Sequence, residues 1–205
     1  MPTIDFVTLD VPDTTDAETF YKAAFELGDT VRVRESQEPT SGFRGFTLSL
    51  VVSQPSTVDS LVGTALEAGA TPLKPVSKSF WGYGGSLQAP DGAIWKVATS
   101  SKKETGPATR KVDDVALLLG VADVKATKQF YVDQGLKVGK SFGSKYVEFA
   151  AAPGSRVKLG LYGRRALAKD AGVAPDGTGS HRIVIGGDAG SFTDPDGFAW
   201  QAAPA

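Results

Sequence analysis

Two stretches decide the fold: IDFVTLDVPDTTDAETFYKAAF at residues 4–25 and DVALLLGVADVKATKQFY at residues 114–131. Each reads as an apolar strand, a Val-x-Asp corner and a helix carrying Phe-Tyr about two turns on. Val11 and Asp13 match Val121 and Asp123, and Phe20 and Tyr21 match Phe130 and Tyr131. Asp13 and Asp123 stand at the strand–helix junction, where a short side-chain oxygen accepts from the unpaired N–H groups of the first helical turn. The paired aromatics turn one helical face onto a sheet. The helices are expected to end near Gly28 and Gly135, because glycine enters the left-handed conformation of a helix terminus at no steric cost.

A second echo closes each half. APDGAIWK at 89–96 matches DPDGFAWQ at 194–201. Pro-Asp-Gly is a tight-turn signal, since Pro sets φ and Gly accepts a positive φ, and the flanking strands make each copy a hairpin. A search for repeats therefore divides the chain into unit 1 at 1–100, a linker at 101–111 and unit 2 at 112–205. The linker is polar, rich in breakers and without apolar periodicity. Strands are predicted near 3–11, 30–35, 44–53, 72–77, 84–89 and 93–99 in the first unit. In the second they fall near 112–120, 136–141, 145–151, 156–162, 181–186, 190–193 and 198–203. Helices are predicted near 14–26, 56–69, 123–134 and 164–171.

Composition narrows the chemistry. A formal net charge of -1 gives no field for nucleic acid or an anionic membrane. The absence of cysteine removes disulfides, thiolate metal sites and a cysteine nucleophile. No apolar run approaches the roughly 20 residues of a membrane helix, and the first residues show no signal peptide, so a cytoplasmic protein is expected. The one histidine, His181, argues against sites built from several imidazoles.

These repeats, in this order, resemble the glyoxalase/bleomycin-resistance (vicinal oxygen chelate) superfamily. The resemblance is carried by the Val-x-Asp strand, the Phe-Tyr helix and the Pro-Asp-Gly hairpin with Trp95 or Trp200. Val58-Asp59 through Thr71, Phe80-Trp81-Gly82 and Arg165 through Val173 add to it. It implies an α+β fold of tandem βαβββ modules, whose curved mixed sheets form a cup. Each half is abbreviated: the first lacks a strand pair after 30–35, and the second lacks a helix corresponding to 56–69.

In metal-dependent members a His, Gln or Glu sits early on a module's opening strand, and a Glu sits on the closing strand. The resemblance maps the opening positions to Phe6 and Ala116, and the closing ones to Lys96 and Gln201. Second-module openings fall at or near Phe46 and His181. Phe and Ala cannot ligate, and a Lys ammonium repels a divalent cation, so neither metal nor cofactor is expected.

The remaining candidates are ligand contacts. Trp81 and Tyr83 lie in a glycine-rich stretch, and with Lys96, Phe46 and Gln201 they would line the cup. Trp95 and Trp200 read as sheet core, and Arg164 and Arg165 as a solvated helix start. His181 is either a structural strand-start residue or a base, and Lys96 either a second base or an outward-facing edge lysine. The resemblance thus implies a metal-free protein that binds a small apolar or aromatic molecule, of the sequestration or resistance type. The alternatives are a metal-independent isomerase or lyase using His181 or Lys96, and a metal-dependent glyoxalase or dioxygenase with ligands elsewhere. Expected partners are a small-molecule ligand, with neither nucleic acid nor membrane. The chain is expected to be a monomer with an internal pseudo-dimer, or a homodimer.

Overall fold

Asp13 caps the first helix by accepting from Asp16 N at 2.9 Å, and Asp123 caps its repeat by accepting from Lys125 N at 2.8 Å and Ala126 N at 3.1 Å. These caps lie in a computed structural model that describes residues 1–80 and 82–203. The first repeat contains β1 (Ile4–Val11), α1 (Thr14–Ala24), β2 (Val31–Glu35), β3 (Ser41–Gly42) and β4 (Phe46–Val51). It continues with α2 (Pro55–Glu67), β5 (Thr71–Ser79), β6 (Gly82–Gln88) and β7 (Ile94–Thr99). The second contains β8 (Asp114–Val121), α3 (Val124–Asp133), β9 (Val138–Ser141), β10 (Tyr146–Phe149) and β11 (Val157–Gly163). It ends with α4 (Arg164–Ala171), β12 (Gly177–Thr178), β13 (Ile183–Gly187), β14 (Phe192–Thr193) and β15 (Ala199–Ala202).

Two curved mixed sheets hold these strands, except β3 and β12, which pair with each other. One runs β5-β6-β7-β4-β8-β11-β10-β9 and the other β14-β15-β13-β1-β2. Each takes strands from both repeats. The larger joins β4–β7 with α2 to β8–β11 with α3, two full βαβββ modules meeting at an antiparallel β4–β8 pair. The smaller joins the shortened ends of the chain. Here β2 leads to the two-residue β3, and β13 passes to β14 with no helix between them.

The larger of two apolar clusters lies against one face of the large sheet. It gathers Leu48, Leu50, Trp95, Val97, Leu117 and Leu119 with α2 and α3 residues and with β1 and β13 of the small sheet. Tyr21 of α1 packs on Trp95 with ring centroids 5.5 Å apart, and Tyr131 of α3 packs on Trp200 at 5.6 Å. The repeated Phe-Tyr helix and hairpin Trp thus meet in both halves.

Two expectations change. The strand predicted from 181 begins at Ile183, because Ser180–Arg182 form a 3-10 turn. Helix α1 stops at Ala24 rather than near Gly28. The 101–111 segment has no regular structure but is tied to α2. Ser56 N, in the first turn of α2, donates to Glu104 Oε1 at 3.1 Å, and Gln54 Nε2 donates to Pro107 O at 2.8 Å. Among the described residues no helix is long and apolar enough to cross a membrane.

Candidate functional site

Strand alternation sends Leu48, Trp95 and Leu117 of the large sheet to the core, so their neighbours point the other way. The register then aligns Ser86, Lys96, Ser49, Ala116 and Lys158 in one row across β6, β7, β4, β8 and β11. Helix α4 lies over this row. Leu167 packs with Leu118, Ile94 and Phe43 in a second apolar cluster. Gly120 permits the approach, since a Cβ there would sit 3.2 Å from the Arg164 Cα and 3.3 Å from Leu167. Polar contacts fasten the far end of the helix. Lys74 Nζ donates to the carbonyls of Lys169 and Asp170 at 2.6 and 2.8 Å, and Ser86 Oγ donates to Ala171 O at 2.8 Å. Cations at a helix C-terminus satisfy its last carbonyls and complement its dipole.

The charged groups on this face are mostly paired. Lys96 Nζ lies 2.8 Å from Asp170, Lys158 Nζ 2.7 Å from Asp114, and Lys140 Nζ 3.6 Å from Glu148. The Ser49 hydroxyl is buried with no hydrogen-bond partner among the described residues. Toward β9 the face becomes aromatic. Tyr146 and Tyr162 have centroids 4.6 Å apart, and Phe142 stacks on Tyr146 at 6.1 Å. Tyr146 Oη donates to Glu148 at 3.0 Å. Burial, then that hydrogen bond, pushes the Tyr146 hydroxyl above its ordinary range. Burial, followed by the charges of Asp170 and Glu148, pushes Tyr162 up as well, so both are neutral phenols. They line a cavity of about 700 Å³ with Val121, Lys145, Arg164, Arg165 and Asp176.

Of the residues singled out from sequence, Lys96 and Tyr83 border one depression, whereas Phe46, Gln201 and His181 lie elsewhere. Lys96 faces α4 and lines a smaller depression of about 310 Å³ with Lys74, Tyr83, Ser86 and Asp170. The Tyr83 hydroxyl reaches the other way and donates to Asp59 of α2 at 2.8 Å, and that bond raises its pKa. Trp81 lies outside the described residues. Phe46 points into the core, edge-on to Phe198 at 6.4 Å, and Ser49 takes the row position on β4 instead. Gln201 is exposed on the small sheet opposite Gly186, whose other neighbour is Phe6 with the Arg32 guanidinium 3.7 Å above its ring. His181 sits in the turn before β13, its Nε2 enclosed, unbonded and 3.6 Å from Glu38. It is therefore in a different sheet system from Lys96.

Arg164 is not a solvated helix start. Its Nε donates to Pro175 O at 2.9 Å, and its Nη2 donates to Gly177 O at 2.8 Å and to Phe43 O. Sequence reading also passed over Tyr146, Tyr162 and Lys158. The available signal was the alternation Tyr146-x-Glu148 and Lys158-x-Gly160-x-Tyr162 on two adjacent predicted strands.

Solved structures with a similar architecture supply the frame. Glyoxalase I from Zea mays superposes with a TM-score of 0.67 at 15% identity, covering 98% of this chain and 92% of that one. The chain has the fold of glyoxalase I. A mutant of the maize enzyme gives a TM-score of 0.63 at 13% identity, with 98% of this chain and 92% of that one covered. A glyoxalase/bleomycin resistance protein/dioxygenase family enzyme from Burkholderia phytofirmans covers 48% of this chain and 99% of its own, at 18% identity and a TM-score of 0.44. No family model and no curated protein sequence matches.

The glyoxalase fold implies a metal centre on the strands that open and close each module, and the residues here do not fit one. On the large sheet those strands present Lys96, Ser49, Ala116 and Lys158, two ammonium groups, a hydroxyl and a methyl. On the small sheet the row offers Phe6, Gly186 and Gln201. Divalent ions need carboxylate, imidazole or thiolate donors. No group of three or more such side chains able to hold a metal occurs among the described residues.

Proposed function

We propose that this protein binds a planar aromatic small molecule against Tyr146 and Tyr162, without a resident metal ion. The observation that carries the reading is the tyrosine pair, 4.6 Å apart, lining a cavity of about 700 Å³. That volume lies within the roughly 300–1,000 Å³ of small-molecule sites. Aromatic walls bind flat molecules by area burial and offset stacking. The lysines at metal-ligand positions support metal-free binding. Proton-transfer chemistry finds less support, because Lys96 is ion-paired with Asp170 and His181 lies in a separate sheet system.

The test is calorimetric titration with a neutral planar probe, 1-naphthamide, alongside elemental analysis of protein purified without chelator. Tyr162→Ala is expected to weaken binding by about 1–3 kcal/mol, the scale of one buried aromatic contact, with little change in melting temperature. Unchanged affinity in both Tyr146→Ala and Tyr162→Ala would refute the site. Near-stoichiometric Zn, Ni, Fe or Mn would refute the metal-free reading.

A further inference from the structure

The large sheet's α4 face has an imbalance of charge at one place. Its carboxylates Asp170, Asp114 and Glu148 each have a lysine partner. The lining of the aromatic cavity includes Lys145, Arg164 and Arg165 against one carboxylate, Asp176. That is three positive charges to one negative, in a chain whose overall net charge is -1. None of these three cations has a carboxylate within ion-pair distance among the described residues.

Arg164 is the fixed member. Its guanidinium is half-buried and held by the carbonyls of Pro175, Gly177 and Phe43. It also stands 5.1 Å above the Phe43 ring. Carbonyls orient the charge without neutralising it. Arg165, the next residue, is exposed and makes no hydrogen bond among the described residues, free to close on a bound group with its planar fork of donors. The Tyr162 hydroxyl also lacks a hydrogen-bond partner among the described residues, and as a neutral phenol it can donate to an anion.

We propose that the molecule bound at this cavity is an aromatic carboxylate. Its ring lies against Tyr146 and Tyr162, and its anionic group sits at the mouth between Arg164 and Arg165. This rests on the aromatic-binding reading above and adds the charge of the ligand. Desolvation by the cavity walls strengthens the attraction relative to an exposed pair, and salt weakens what remains solvent-screened.

Two isosteric probes separate the claims. 1-Naphthoate and 1-naphthamide share a ring system and differ in charge. Calorimetry at 0.05 M salt is expected, on the order of magnitude of a charge-assisted pair, to give naphthoate at least a roughly tenfold tighter Kd. Raising salt to about 0.5 M should narrow that gap. Arg165→Gln, a surface change that leaves the Arg164 contacts intact, should narrow it several-fold while naphthamide affinity stays constant. Equal affinity of the two probes at low salt overturns the carboxylate and leaves the aromatic reading standing. A naphthoate advantage unchanged in Arg165→Gln overturns its placement at this mouth. Binding of neither probe overturns the aromatic reading and this one with it.

Discussion

Asp194 shows how one residue takes on a task through its neighbours. Tyr131 Oη donates to its carboxylate at 2.7 Å, and Trp200 Nε1 donates to the same phenol at 3.1 Å. In the first repeat Tyr21 Oη donates to Asp91 at 2.6 Å, with Trp95 Nε1 3.4 Å from the phenol. Asp91 occupies the second acidic position of the turn, because the first is Ala89. Burial raises the Asp194 pKa above 3.8, only partly opposed by the N–H groups of Phe198 and Asp196 and by Tyr131. Between the unfolded and folded values the native state holds a proton that the unfolded chain has lost. The linkage slope is then negative, so this carboxyl's contribution to stability falls as pH rises through the window, opposite in sign to an ordinary ion-paired aspartate. Carboxyl-carbon NMR titration should place the Asp194 midpoint above 3.8; a midpoint below it would show that the hydrogen bonds outweigh burial.

At the scale of elements, α4 separates apolar from ionic contributions. Leu167 is fully buried beneath the helix, whereas the Lys96–Asp170 pair is 34% and 44% exposed. Exposed ion pairs contribute about 0–1 kcal/mol, and removing a buried Leu costs about 2–5 kcal/mol. Denaturant unfolding should therefore show Leu167→Ala strongly destabilised and Lys96→Ala within about 1 kcal/mol of the parent. The reverse ranking would mean that the α4 face is held shut by charge. The boundaries of α4 were legible in sequence, since Arg164–Ala171 is followed by Gly172 in the left-handed conformation that ends helices. Its place over the Ser49 row was not, because nothing local to residues 164–171 specifies which strands lie beneath them.

For the whole molecule, the arrangement of strands makes the two repeats interdependent. The β4–β8 pair joins the halves within one sheet, and the β1–β13 pair joins them in the other. Residues 1–111 alone would leave β1 paired only with β2 and β4 only with β7, each with one open, largely apolar edge. Separately produced halves, 1–111 and 112–205, are expected to lack cooperative unfolding, and mixing should restore a single transition. A half that unfolds cooperatively by itself would show that strand exchange between the repeats is dispensable.

The sequence by itself determined the repeat, the capped Phe-Tyr helices, the Pro-Asp-Gly hairpins, and a composition of one histidine and no cysteine. All of these are local, resting on caps, turn chemistry and residue type. Only the tertiary structure decided which strands became neighbours and which face each side chain took. Phe46 and Ser49 illustrate the reason: side chains alternate along a strand, so a mapping in error by an odd number of residues moves a candidate from cavity wall to core. The Tyr83 hydroxyl turned toward α2 by the same parity. Tyr146 and Tyr162 came together because two strands pair in a register that neither encodes alone, and the cavity exists because α4 folds back across that register.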